Sequence, residues 1–92
     1  MYRVVYHPKV VSTDIPRLGG EEKERVKNAI ERKLMTKPSL YTESLRGSLR
    51  GYSKLRVGDH RIIVRIKERE QSVYILMIEH RSCVYTQIVK RI

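Results

Sequence analysis

Hydrophobic residues recur at two spacings along this chain, and each change of spacing marks a change of element. Residues 2–6 (YRVVY) are dense in β-formers and predict a first strand, closed by His7-Pro8. Residues 9–14 predict a short helical turn with Val10 and Val11 inward, and Pro16 predicts a break or kink before Leu18. Past Gly19-Gly20, the apolar positions Val26, Ala29, Ile30 and Leu34 recur at helical spacing, giving a one-sided helix over about 21–35. Lys37-Pro38-Ser39 ends it, and 40–43 reads as a connector. The period then drops to two. Residues 52–57 and 60–67 alternate around a tight turn at Val57-Gly58-Asp59, which predicts a hairpin. After a polar loop at 68–71, residues 72–78 (SVYILMI) are nearly all apolar and predict a central strand buried on both faces. Val84, Ile88 and Ile92 then return at a spacing of four, a short C-terminal helix.

The predicted order is β-α-α-β-β-β with a helical tail. Helices grouped before the paired strands argue an α+β fold: an antiparallel sheet with two helices packed on one face. A chain of 92 residues forms one domain, 1–92, with a modest core.

Charge changes the picture of the hairpin. The chain carries a net +10, and eight Lys/Arg lie between Arg46 and Arg69 against two acids, Asp59 and Glu68. The helix at 21–35 instead has Glu21, Glu22 and Glu24 first and Arg32 and Lys33 near its end, an order that matches the helix dipole. Cations are therefore concentrated on the strands, which points to a polyanion partner. A single Cys83 forms no internal disulfide and fits a reducing cytoplasm. No apolar run is long enough for a membrane span or a signal peptide, so no membrane role is expected.

Alternation decides which cations meet. Lys54 and Arg56 share one face of their strand, and Arg61 and Arg65 share one face of the next. Lys54, Arg56 and Arg61 are expected to converge on one surface, joined by Arg81 from the following strand end and Tyr85 one turn on. Guanidinium forks fit phosphate oxygens, clustered cations stabilise a pentacovalent phosphate, and a tyrosine stacks on a base. With no carboxylate cluster and no close spacing among His7, His60 and His80, the design calls for no metal and no cofactor. The residues alone leave other roles open. Arg61 pairs with Asp59 or Glu79, or serves the site; Tyr85 packs or binds; His60 flanks the turn or titrates; His80 packs at a strand end or acts as acid or base.

The stretch LRG at 45–47, GYSKLRVGDHRII at 51–63, and the end formed by His80-Arg81, Val84-Tyr85 and Lys90-Arg91-Ile92 resemble the signature of the RelE/ParE superfamily of bacterial toxins. The resemblance covers nearly the whole chain, and the RelE-like branch fits better because Lys54, Arg61, Arg81 and Tyr85 are all present. It implies the toxin of a type II toxin–antitoxin system, a metal-independent, ribosome-dependent endoribonuclease that cuts mRNA and inhibits translation. Catalytic positions carry over onto Lys54, Arg56, Arg61, Arg81 and Tyr85, with Arg46, Arg50 and Arg65 binding RNA phosphates. The family commonly has lysine where Arg56 stands, and arginine does not readily release a proton. The base then falls to Lys54, or to His60 or His80. Implied partners are a cognate acidic antitoxin, the ribosome and mRNA, with DNA reached only through the antitoxin complex; the free toxin is expected as a monomer. The alternative is the ParE-like branch, a non-enzymatic inhibitor of DNA gyrase.

Overall fold

A computed structural model describes residues 1–92. Five strands form one sheet in the order β1-β5-β4-β3-β2, where β1 is Arg3–Tyr6, β2 Glu43–Ser44, β3 Ser53–Val57, β4 His60–Lys67 and β5 Ser72–His80. The α+β class and the hairpin agree with the sequence reading, and β4 has the predicted bounds. The all-antiparallel expectation is corrected at one edge. β1 runs parallel to β5, with Arg3 beside Ser72 and Tyr6 beside Ile75, because both helices intervene before the chain returns to that edge. The connector at 40–43 is also corrected: Pro38–Tyr41 is a short helix, α3, and β2 adds a fifth strand against β3.

Two helical segments cover one face of the sheet. The first, α1, is a wide π-type turn at Val10–Asp14 that continues as Ile15–Arg17. Where Pro16 predicts a break or kink before Leu18, the helix is irregular and short: the wide turn opens the hydrogen-bond ladder where the proline has no N–H to give, and the segment ends at Arg17 with Leu18 extended. Val10 is fully buried, but Val11 is 58% exposed, so only one of the two valines faces inward. The second, α2, is Gly20–Ala29 widening into Ile30–Leu34, and its predicted stripe of Val26, Ile30 and Leu34 is buried. These side chains meet Leu55, Ile62, Val64, Val73, Ile75 and Ile78 in the larger core.

A smaller core lies on the opposite face. There Ile63, Leu76 and Met77 pack under Val84 and Ile88 of α4, Val84–Arg91. A bulge serves both cores. Ile63 pairs with Met77 but Val64 pairs with Ile75, which leaves Leu76 as an extra residue in β5. Ile75 and Ile78 consequently face α1 and α2, while Leu76 and Met77 both face α4.

Above Ile75, β1 has ended and the edge of β5 would be open. Asp14 and Arg91 close it. The Arg91 guanidinium donates to both Asp14 carboxylate oxygens, at 2.6 and 3.0 Å, and to the Leu76 carbonyl. Asp14 also accepts the Ile78 N–H at 2.9 Å. The clasp satisfies backbone groups on an edge strand and ties α4 to α1 around it.

Candidate active site

The site forms where the β3–β4 hairpin meets α4. Gly58 takes φ +60° at the first position of the two-residue turn, a conformation glycine adopts without penalty and one that suits the twist of a hairpin. The register then sets Arg56 directly opposite Arg61 and Lys54 opposite Ile63. Since side chains alternate, Lys54, Arg56 and Arg61 lie on the α4 face. Tyr85, in the first turn of α4, completes the group: Lys54 Nζ donates to Tyr85 Oη at 3.0 Å and lies 5.7 Å from the ring centroid.

Arg61 pairs with neither Asp59 nor Glu79. Its Nη1 donates to the carbonyls of Gly58 and His60, at 3.0 and 2.9 Å. Neutral acceptors fix the side chain while leaving its charge uncompensated. Asp59 instead pairs with Arg81, Nε to Oδ1 at 3.6 Å, and the Arg81 backbone N–H donates to the Asp59 carbonyl. Arg61 and Arg81 thus both hold the same turn. Arg56 pairs with Glu43 at 3.4 Å. The Arg56–Glu43 and Arg81–Asp59 pairs are well exposed, and pairs of that kind are worth about 0–1 kcal/mol. A phosphate offering bidentate, charge-assisted bonds displaces such carboxylates readily.

The histidines go elsewhere. His60 and His80 pair across β4 and β5 with rings 5.7 Å apart, edge to face. They line a pocket of about 180 Å³ with Glu22 and Arg25 of α2, on the face away from Lys54 and Tyr85. The His80 Nδ1 accepts the Ser82 N–H at 3.1 Å, which binds that nitrogen to its own turn. As acid/base candidates for the Lys54 site they are therefore corrected; residue 60 lies one position from Arg61 and so points to the other face. Burial and then the neighbouring Glu79 carboxylate push the Cys83 thiol up, the direction opposite to that of an activated thiolate.

Of the proposed phosphate contacts, Arg65 follows Arg61 along the same face and lies 5.6 Å from the Tyr52 ring centroid. Arg46 and Arg50 are exposed at either end of a 3₁₀ turn, Gly47–Leu49, and make no ion pair. Three participants escape a reading by composition: Glu43, Asp59 as the partner of Arg81, and the Asp14–Arg91 clasp. A signal for Arg91 was present, since Val84, Ile88 and Arg91 share one helix face at i, i+4 and i+7.

Comparison with known proteins places this architecture. Residues 4–85 match the family described as ParE toxin of type II toxin-antitoxin system, parDE. No curated protein sequence matches. Among solved structures, the toxin–antitoxin complex RelBE2 from Mycobacterium tuberculosis is similar at TM-score 0.80 and 26% identity, covering 88% of this chain and 92% of that one. The isolated RelE toxin from E. coli gives TM-score 0.73 at 20% identity, over 99% and 98% of the two chains. The RelB-RelE antitoxin-toxin complex from Methanococcus jannaschii gives 0.69 at 20%, over 88% and 94%.

Proposed function

The chain belongs to the RelE/ParE superfamily of type II toxin–antitoxin toxins, and from that premise we propose that it is a RelE-like, ribosome-dependent endoribonuclease that cleaves mRNA and stops translation. The observation that carries this reading is the Lys54–Tyr85 hydrogen bond beside the cross-strand Arg56–Arg61 pair. An amine, a ring and two guanidinium groups stand together on one face.

Lys54 removes the proton from a ribose 2′-hydroxyl. The 2′-oxygen attacks the adjacent phosphorus and the bond from phosphorus to the 5′-oxygen breaks, leaving a 2′,3′-cyclic phosphate and a 5′-hydroxyl. Arg61 and Arg56 hold the non-bridging oxygens as negative charge grows on them. Arg81 screens the departing 5′-oxygen until water protonates it. Tyr85 orients the nucleotide and fixes the amine. Arg56 cannot serve as the base, and both histidines face the other way, so Lys54 carries that role alone. In the cytoplasm an acidic antitoxin is the partner that neutralises the +10 charge.

Induction of the protein is expected to stop translation and leave cuts within translated mRNA. Lys54→Ala is expected to slow cleavage by about 10²–10⁴-fold with the urea midpoint unchanged. The ParE description of the matched family favours a second reading, inhibition of DNA gyrase without catalysis. Intact mRNA in arrested cells, with gyrase supercoiling blocked by the purified protein, would establish that reading and sink the first.

A further inference from the structure

The sheet face that bears Lys54 continues past it into a second cationic cleft. On β4, Arg65 and Lys67 follow Arg61 and Ile63 at alternate positions. On the β3 side, Tyr52 precedes Lys54 by two, so its ring lies beside Arg65, 5.6 Å from centroid to guanidinium carbon. The register carries the surface across the sheet: Arg65 is opposite Tyr74, and Lys67 is opposite Ser72, which is opposite Arg3 of β1. Together these residues line a cleft of about 390 Å³.

Two properties separate this cleft from an ordinary solvated surface. Arg3, Arg65 and Lys67 have no carboxylate partner, whereas Arg56 and Arg81 each have one. No acid lines the cleft at all. The cations also alternate with half-buried rings, Tyr52 and Tyr74, that are held by the small core beneath α4. The Arg65–Tyr52 unit repeats the Lys54–Tyr85 unit one step along the same face. Arg61 and Arg65 are four residues apart, about 13 Å along a strand. Rings at intervals beside unpaired cations are what a flexible single strand needs, because each base has a face to stack and each phosphate needs a cation.

We propose that the Tyr52–Arg65–Tyr74 cleft is a second RNA subsite. It holds single-stranded RNA that flanks the nucleotide at Lys54: Tyr52 stacks a base, and Arg3, Arg65 and Lys67 take backbone phosphates. This rests on the ribonuclease reading for its ligand class, but its test is binding rather than cleavage.

The probe is a fluorescent eight-nucleotide RNA, fully 2′-O-methylated so that it has no attacking hydroxyl, titrated into the purified full chain. Arg3→Ala/Arg65→Ala and Tyr52→Leu alter the cleft and leave the Lys54–Tyr85 pair in place. Each variant is expected to weaken binding about tenfold or more. The double variant is expected to flatten the dependence of log affinity on log salt by roughly 0.7 for each phosphate that is no longer neutralised. A dinucleotide probe, too short to reach the cleft, is expected to bind all forms alike. Equal affinity of wild type and both folded variants for the octamer overturns the proposal, as does no binding by wild type. So does a poly-glutamate peptide that binds as tightly with the same sensitivity to the variants, because the cleft would then be a seat for an acidic protein. Cleavage of mRNA by wild type with octamer affinity unchanged in the variants would remove the subsite and leave the ribonuclease. Cleft-dependent RNA binding without any cleavage would do the reverse.

Discussion

The amine of Lys54 and the hydroxyl of Tyr85 are 3.0 Å apart, and the proposed chemistry rests on that hydrogen bond more than on the number of cations. Tyr85→Phe keeps the ring and removes the oxygen. It is expected to preserve RNA affinity while lowering the single-turnover cleavage rate, a split that a purely stacking tyrosine does not produce. His60→Gln and His80→Gln are expected to leave the rate within about twofold, since both rings lie across the sheet; a loss near that of Lys54→Ala would return one of them to the site. Cys83, held protonated by burial and by Glu79, is expected to react with iodoacetamide more slowly at neutral pH than a free thiol does. At this scale the sequence was informative wherever strict alternation held. Lys54, Arg56 and Arg61 fall together because period two leaves them no other arrangement. The resting partners were not legible, because Glu43 reaches Arg56 only through β2, two residues long and without a pattern of its own.

Among the elements, β5 shows where pattern reading loses its grip. Its run of apolar residues announced burial on both faces, as observed. A uniform run carries no parity, however, so nothing in it revealed that Leu76 is an extra residue or that the sides exchange there. The Asp14–Arg91 clasp depends on that bulge, since Arg91 donates to the Leu76 carbonyl. Arg91→Ala leaves Asp14 buried without its partner cation and is expected to cost about 3–5 kcal/mol, measured by urea unfolding. At the other end of the sheet, Glu68 accepts hydroxyl hydrogen bonds from Ser39 and Tyr2, and these hold its carboxyl below the usual carboxylate range. A group depressed in the folded state contributes stability above its unfolded value, about 4.3 for glutamate, and loses it as pH falls through the folded value. The melting temperature of wild type is therefore expected to exceed that of Glu68→Gln at neutral pH, with the gap closing in acid.

Seen whole, the molecule separates its tasks by face. One side of the sheet is covered by α1 and α2 and holds the larger core; the other is covered only by the eight residues of α4 and carries Lys54, Arg56, Arg61, Arg65 and Lys67. On α2 the cations are interleaved with Glu21, Glu22, Glu24 and Glu31, whereas Arg61, Arg65 and Lys67 follow one another on the strand side without an acid between them on that face, which suits that side to attract a polyanion from a distance. Association with an acidic partner is expected to slow steeply between low and physiological salt in stopped-flow mixing, and a flat salt profile would argue that apolar packing directs the encounter.

The clasp also gives the chain an order of events in time. Asp14 must wait for a residue 77 positions later before its charge is matched, and β1 stays without its neighbour until β5 exists. Such closures come late, because their entropy is spent before any interaction rewards it. In folding, the β3–β4 hairpin, closed by a two-residue turn, is therefore expected to form before α4 docks and brings Tyr85 to it. During that interval Lys54 has no hydroxyl to hold it and the small core has no cover. The chain is thus expected to be a cationic hairpin first and to hold the Lys54–Tyr85 pair last, so the formation of that pair times the end of folding.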